Sequence, residues 1–248
     1  MTRKRYSRDC VKKSESKKPT TKKTQKKAYS PKPRIKGVTA KNEEQKQALR
    51  IIAEKDIVLI HGVAGTGKTH MAVNWGFSEV VKENFKQLIL TRPCIEAYGE
   101  KLGSLPGDAE DKIAPYMFPL FELLYKCYDK QQINRFVDTQ VIRCIPLAYM
   151  RGVTFDNAIV VADEMQNAVP AQVRLLLTRI GEESKIVITG DIRQSDLNRA
   201  KEINGMTDAI NRLSDVDEVG IVEMSKKSIV RNPIIAKIET AYEKKPKE

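Results

Sequence analysis

This chain of 248 residues lacks several features that are typical of membrane proteins, secreted proteins and proteins stabilised by a zinc site. It has no apolar stretch near the roughly 20 residues that a membrane-spanning helix needs, and its N-terminus lacks the apolar core of a secretion signal. Its four cysteines are scattered without the paired spacing of a zinc site, so we expect reduced thiols. No internal repeat is found. These absences predict a soluble, cytoplasmic protein without a membrane partner.

Large apolar residues are also almost absent from the first 36 residues, which hold 15 Lys and Arg against two acids, Asp9 and Glu15. The rest of the chain is nearly neutral, with the remaining 29 basic and 30 acidic residues. We therefore expect a disordered basic tail over 1–37, because such a segment cannot bury a core. A flexible polycation commonly binds nucleic-acid phosphates without sequence preference. A merely solubilising extension is the alternative.

From Val38 onward, apolar runs alternate with helix-compatible stretches, which favours an α/β fold with a mostly parallel sheet. We predict one α/β domain over 38–248. A loop rich in Gly and Pro (99–107) and one or two helices form an insertion at about 94–139. The predicted strands are 56–60, 87–90, 141–145, 159–162, 185–189 and 219–223. The predicted helices are 43–54 with Asn42 as cap, 68–82, 118–128, 170–180, 203–213 and 233–243.

Residues 62–69 read Gly-Val-Ala-Gly-Thr-Gly-Lys-Thr, a complete Walker A phosphate loop. An apolar run, 57–60, precedes the loop and a helix-compatible stretch follows it, which is the setting that the motif requires. Loop N–H groups and the helix N-terminus suit phosphate oxygens. Lys68 is expected to reach the β- and γ-phosphates of the nucleotide, and the Thr69 hydroxyl to ligate Mg²⁺. We therefore predict that 38–248 form one RecA-like P-loop NTPase domain. The predicted nucleotide-binding residues are Gln45, Gly62, Val63, Ala64, Gly65, Thr66, Gly67, Lys68, Thr69 and His70.

Asp163 and Glu164 follow a second apolar run, 159–162. Strand C-terminal ends line the ligand crevice of open α/β sheets. We predict that Asp163 holds Mg²⁺ and that Glu164 polarises the water attacking the γ-phosphate. An Asp-Glu pair alone is usually a solvated turn, but downstream of a Walker A loop it is a strong Walker B candidate. A base beside the γ-phosphate favours hydrolysis over transfer to a second substrate.

Four more polar residues are candidates for contact with the nucleotide. Gln194 or Thr189, at the end of another strand, is placed to sense the γ-phosphate, with an ordinary Gly-Asp turn as the alternative. Arg231 stands at a strand-to-helix connection and is a candidate for stabilising transition-state charge. Gln45 has an amide suited to the adenine edge, although a Gln on an exposed helix is usually only solvated.

Taken together, these stretches resemble the PhoH family of ATPases, whose core is similar to the first RecA-like domain of superfamily 1 helicases. The resemblance covers about 38–242. It is carried by 62–69, 91–93, 102–103, 105–108, 115–116, 146–152, 163–164, 166–167, 177–179, 189–191, Gln194, 229–231 and Pro233.

The resemblance implies Mg²⁺-dependent ATP binding and hydrolysis. It implies catalytic roles for Lys68, Glu164, Gln194 and Arg231. It also implies that Thr69 and Asp163 bind the metal ion and that Gln45 recognises the adenine. By analogy with helicases, it places Thr91, Arg92 and Pro93 near single-stranded nucleic acid. RNA is the implied partner.

One RecA-like domain does not by itself supply the two surfaces with which helicases clamp a strand. A neighbouring subunit is therefore expected to supply the second, so we predict a homo-oligomer, with a hexameric ring as one form. Two other functions stay open: a nucleotide-dependent switch or assembly protein that unwinds nothing, and a passive nucleic-acid-binding protein acting through the tail. A small-molecule kinase is disfavoured, because no lid or acceptor pocket is evident.

Overall fold

Six strands form one sheet in which every pair is parallel. They are β1 (Ile57–Gly62), β2 (Gln87–Thr91), β3 (Ile142–Cys144), β4 (Ala158–Ala162), β5 (Lys185–Gly190) and β6 (Val219–Met224). Their order across the sheet is β3-β2-β4-β5-β1-β6. The strand that precedes the Walker A loop is thus separated by one strand, β5, from the strand that precedes Asp163. The predicted α/β fold of RecA type is confirmed by this topology.

The computed structural model describes residues 37–93, 109–194, 203–232 and 234–243. The predicted disordered tail and the predicted loop at 99–107 lie outside the described residues, apart from Gly37. No helix in the described ranges combines the length and the apolar character needed to cross a membrane. The helices are α1 (Glu43–Glu54), α2 (Lys68–Val81), α3 (Ala109–Cys127), α4 (Lys130–Asp138), α5 (Pro170–Leu177), α6 (Gly205–Leu213) and α7 (Ile234–Glu243).

The described part of the insertion, 109–139, contains two helices, and the first is longer than predicted. Helix α3 begins at Ala109 and runs through Pro115 and Pro119, whereas the prediction began at Phe118. Proline usually marks a helix boundary because it removes a backbone donor. Here the buried side chains of α3 pack into the same core as α2, and this packing outweighs the local signal. Those side chains are Met117, Leu120 and Leu124.

The core consists of two apolar layers on opposite faces of the sheet. Successive side chains of a strand point to opposite faces, so Leu88 and Leu90 pack with α1 to α4, while Ile89 packs with α5 and α6. Strands β4 and β5 are buried along their whole length, as expected for parallel strands covered on both faces. The carboxyl ends of all six strands therefore meet at one edge, where the polar motif residues gather.

Candidate active site

The phosphate loop connects β1 to α2 through backbone conformations that few residues other than glycine adopt. Gly65 and Gly67 have φ of 83° and 87°, and Gly67 caps the N-terminus of α2 in the left-handed region. Gly62 has φ of 136°, and a Cβ there would lie 2.0 Å from the Met224 carbonyl oxygen. Larger residues are thus excluded by both strain and close approach.

Lys68, the first residue of α2, has its ammonium group held beneath the loop. Its Nζ donates to the carbonyl oxygens of Gly62 at 2.7 Å and Val63 at 2.9 Å. Burial lowers the pKa of Lys68, while the carboxylates of Asp191, Asp163 and Glu164 favour the charged form and oppose that shift. A buried cation at the N-terminus of a helix suits an anionic group.

Asp163 is held by hydroxyl groups from two other elements. Its Oδ1 accepts from Thr69 Oγ1 on α2 and from Thr189 Oγ1 on β5, both at 2.7 Å. Burial and the neighbouring Glu164 raise the pKa of Asp163, and Arg92 with the two hydroxyls acts in the opposite direction. The Thr69 hydroxyl and the Asp163 carboxylate are hard oxygen donors, the type that Mg²⁺ prefers. These two residues therefore fit the predicted metal site.

Glu164 is restrained on both carboxylate oxygens. Arg92 Nη2 lies 2.9 Å from its Oε1, and Gln166 Nε2 donates to its Oε2 at 2.5 Å. Arg92 Nη2 also lies 3.5 Å from Asp163 Oδ2. The backbone of Glu164 has φ of 55° and ψ of 32°, a left-handed conformation costing of order 1 kcal/mol or more for a residue with a Cβ. Such strain at a strand end is typical of functional positions.

Gln166 connects Glu164 to the end of β5, a role that the sequence did not indicate. Its Oε1 accepts from the backbone N–H of Asp191 at 3.0 Å, and the side chain is buried. Asp191 has a buried Oδ2 that receives no hydrogen bond from the described residues. The available signal was a glutamine two residues after Glu164, but its partner Asp191 follows only from the order of the strands.

Two segments distant in sequence form hydrogen bonds with the phosphate loop. From the first, Gln45 Nε2 donates to the Thr66 carbonyl at 2.9 Å, and its Oε1 accepts from the backbone N–H of Lys41 at 2.7 Å. From the second, the backbone N–H of Val230 donates to the Gly65 carbonyl at 3.0 Å. Gln45 is therefore buried and supports the loop, and its contact with adenine stays a prediction.

A cleft of about 750 Å³ brings the predicted catalytic and metal residues to one place. Lys68, Thr69, Asp163, Glu164, Gln194 and Arg231 all line it. Helix α3 forms part of the wall through Phe118, Leu123 and Lys126. The size falls within the range of small-molecule sites. The structure thus assembles these side chains in one cleft, and their individual roles stay predictions.

The three residues predicted to lie near nucleic acid differ in exposure. Thr91 and Pro93 are buried, whereas Arg92 is partly exposed and pairs with the two acids described above. Of the remaining predicted nucleotide residues, His70 is exposed, and its Nε2 lies 3.7 Å from Cys127 Sγ. Contact of 91–93 with a strand stays a prediction.

The two cysteines within the described ranges, Cys127 and Cys144, are not joined in a disulfide. Burial raises the pKa of the Cys144 thiol to about 12. The other two cysteines, Cys10 and Cys94, lie outside the described residues. In the part of the chain that the structure describes, no group of three or more His, Cys, Asp or Glu side chains is arranged to hold a metal ion.

Comparison with known proteins gives consistent matches over the described domain. The family model for PhoH-like protein matches residues 37–243. A PhoH-like protein of Bacillus subtilis is 40% identical over 209 residues, which is 84% of this chain and 65% of the relative. A PhoH-like protein of Synechocystis is 41% identical over 207 residues, 84% of this chain and 62% of the relative. The chain thus spans less than two thirds of the length of these curated relatives.

Among solved structures, the large terminase from a thermophilic bacteriophage superposes with a TM-score of 0.49 at 11% identity. That superposition covers 85% of this chain and 51% of the terminase chain.

Proposed function

This chain belongs to the PhoH family, and we propose that it is a Mg²⁺-dependent ATPase that couples hydrolysis to movement or remodelling of RNA or another single strand. The observation that carries the proposal is the position of Glu164, held by Arg92 and Gln166 at the edge of the cleft that contains Lys68. A polarising carboxylate and a phosphate-binding ammonium in one cleft are what hydrolysis of a nucleoside triphosphate requires.

Each of these residues of the cleft would have a separate role in hydrolysis. Lys68 would hold the β- and γ-phosphates, and Thr69 with Asp163 would hold the metal ion. Bound Mg²⁺ would neutralise the charge that develops on the phosphate oxygens. Thr189 keeps the Asp163 carboxylate in place through its 2.7 Å hydrogen bond.

Glu164 would accept a proton from the water whose oxygen attacks the γ-phosphorus as the bond to the β-phosphate oxygen breaks. Gln194 and Arg231 line the same cleft and would contact the γ-phosphate oxygens. ADP and inorganic phosphate are the products.

A Glu164→Gln variant tests this assignment, because the amide keeps the size of the side chain but cannot take a proton. We expect ATP binding to persist and turnover to fall about 10²- to 10⁴-fold, the usual contribution of a general base. ATP affinity and phosphate release would be measured together. Glu182→Gln, on an exposed loop away from the cleft, is the matched control and should behave as wild type. Preserved turnover in Glu164→Gln would remove this residue from the chemistry.

The nucleic-acid partner is supported by the excess of positive charge in residues 1–36 and by the basic Arg92 at the cleft. Phosphate release with and without single-stranded RNA separates the proposal from a nucleotide-dependent switch. Stimulation by RNA supports coupling, and an unchanged rate supports the switch. Single-stranded DNA in a parallel reaction identifies the preferred strand.

A neighbouring subunit is part of the proposal, since one RecA-like domain offers only one of the two surfaces that clamp a strand. Homo-oligomers, including a hexameric ring, would supply the other. Specific activity should then rise with protein concentration as the solution mass increases. Activity that is independent of concentration in a strict monomer would contradict the assembly.

A further inference from the structure

The geometry points to Arg92 as a restraint on Glu164 that a phosphate of a bound single strand releases. The ion pair would thereby couple the arrival of the strand to the freeing of the carboxylate that accepts the proton of water. This inference rests on the proposed function, and it assigns the coupling to one side chain at the end of β2.

Glu164 has a protein donor on each carboxylate oxygen. Arg92 Nη2 lies 2.9 Å from Oε1, and Gln166 Nε2 lies 2.5 Å from Oε2. A base must direct a lone pair at the proton that it removes, and a charge-assisted hydrogen bond from a guanidinium competes for that electron density. Loss of the Arg92 contact would leave Gln166 as the partner that orients Glu164 and would free Oε1 for water.

Arg92 is placed so that another anion can compete for it. The side chain of Arg92 is 19% exposed and that of Glu164 is 42% exposed. A partly exposed ion pair is screened and therefore weak, so it can be exchanged without unfolding the site. By contrast, the Asp163 contact of Arg92 is longer, at 3.5 Å. Release of Arg92 would therefore affect mainly Glu164. Asp163, the predicted metal ligand, would keep its hydrogen bonds with hydroxyl groups.

The surroundings of Arg92 suit the backbone and bases of a single strand. Arg92 Nη1 approaches the Tyr116 carbonyl at 3.5 Å, which brings the guanidinium beside α3. Two residues further along α3, Phe118 is 57% exposed and lines the same cleft. An exposed aromatic ring and an arginine that line one cleft are the combination with which proteins stack a base and bind the adjoining phosphate. A guanidinium also matches a phosphodiester in a two-pronged contact.

The test compares Arg92→Gln with wild type in the full-length protein. We expect basal ATP turnover to rise about two- to fivefold, the range for a partly exposed ion pair, and stimulation by single-stranded RNA to fall towards none. The same variant should reduce the slope of log affinity against log salt for the RNA by about 0.7, the value for one phosphate contact on a single strand. This slope is measured without ATP or Mg²⁺, so it does not depend on hydrolysis.

Two further variants separate a coupling role from a structural one. Arg50→Gln removes the same charge from the exposed face of α1 and should leave turnover, stimulation and slope as in wild type. Arg92→Lys keeps a positive charge and should retain the salt slope. A melting temperature for each variant checks that the fold is intact.

Results that contradict the inference about Arg92 can be told apart from results that contradict the proposed function. A lower basal rate in Arg92→Gln would make Arg92 a residue that supports Glu164, and an unchanged salt slope with weaker ATP binding would assign it to the γ-phosphate. Either result overturns the inference while RNA-stimulated hydrolysis stands. A wild-type protein that RNA does not stimulate contradicts the proposed coupling itself, and with it the release by a strand.

Discussion

Gln166 is the residue whose contacts most clearly connect the segment after β4 with the segment after β5. One amide end donates to Glu164, and the other accepts from the backbone N–H of Asp191. Close packing reinforces the link, since a Cβ on Gly190 would lie 2.5 Å from Gln166 Oε1. A buried side chain with both ends satisfied fixes its neighbours more firmly than an exposed contact does.

Replacing Gln166 by Leu is expected to lower the free energy of unfolding by about 1–3 kcal/mol, because the Asp191 N–H would be left buried without an acceptor. Urea unfolding followed by circular dichroism measures the change. Gln131→Leu, on the exposed surface of α4, is the matched control and should stay within about 0.5 kcal/mol of wild type. Equal stability of the two variants would show that Gln166 is not a structural link.

His61 on β1 gives the protein a specific dependence on pH. Burial lowers its pKa; Lys68 acts in the same direction, while Glu223 on the adjacent strand β6 and Asp191 oppose the shift. The unfolded chain therefore binds a proton more readily than the folded one. The free energy of unfolding should fall as pH drops below about 6.5, the ordinary value for histidine.

Urea unfolding at about pH 7.5 and about pH 5.5, on either side of the ordinary histidine pKa, tests this prediction in His61→Gln and in wild type. The variant should lose less stability over that interval. The other histidine of the chain, His70, is present in both proteins and therefore cancels in the comparison. Identical losses in the two proteins would contradict the assignment to His61.

At the scale of elements, the N-terminus of α1 is clamped to the segment that leads to Arg231. Glu44 accepts hydrogen bonds from the Ser225 backbone at 2.8 Å, from Ser225 Oγ at 2.6 Å and from Ser228 Oγ at 2.5 Å. The same Ser228 hydroxyl lies 3.1 Å from Oδ1 of Asn42, the cap of α1. Because α1 also carries Gln45, this clamp holds together the two segments that support the phosphate loop.

Glu44→Ala should lower the free energy of unfolding by about 1–3 kcal/mol, since Ser225 and Ser228 would lose a charged acceptor. It should also weaken ATP binding, because the supports of the loop would become independent. Thermal unfolding and a fluorescent nucleotide titration measure the two effects. Glu43→Ala is the control: its side chain is 90% exposed and its contact with Lys46 is 3.7 Å. An effect of the same size in Glu43→Ala would refute the role of the clamp.

Among the elements, the strands were the most predictable and the insertion the least. All six strands were found close to their predicted positions because each is a short apolar run bounded by polar residues. Helix α3 was misjudged at its start because Pro115 and Pro119 locally favour a break. The apolar face carrying Leu120 and Leu124 decides the matter through burial, and burial depends on the partner helix α2.

At the scale of the whole molecule, the excess positive charge lies in a different part of the chain from the residues of the cleft. Residues 37–248 are nearly balanced, and the basic excess lies in the first 36 residues. Removing residues 1–36 should therefore weaken RNA binding and flatten its salt dependence, since most phosphate contacts would be lost. Basal ATP hydrolysis should stay within about twofold, because the residues that line the cleft lie outside residues 1–36. A change of that size corresponds to well under 1.4 kcal/mol of barrier.

Binding by fluorescence anisotropy over a salt series and phosphate release measure these two properties in the same preparations. A variant in which the lysines of 1–36 are replaced by glutamine keeps the length and removes the charge. The charge-neutral variant should match the truncation. If the truncated protein keeps its full salt dependence, the core itself carries the contacts.

The sequence by itself determined the phosphate loop, the acidic pair, the alternation of strands and helices and the family, because each depends on residues that are neighbours along the chain. Only the tertiary structure decided which side chains meet. Arg92 and Glu164 are 72 residues apart, and Gln166 and Asp191 are 25 apart. Both contacts arise because β4 lies between β2 and β5 in the sheet. The segments that follow these three strands therefore begin side by side at one edge. No local pattern encodes that order of strands, which follows from burying both faces of the sheet at once.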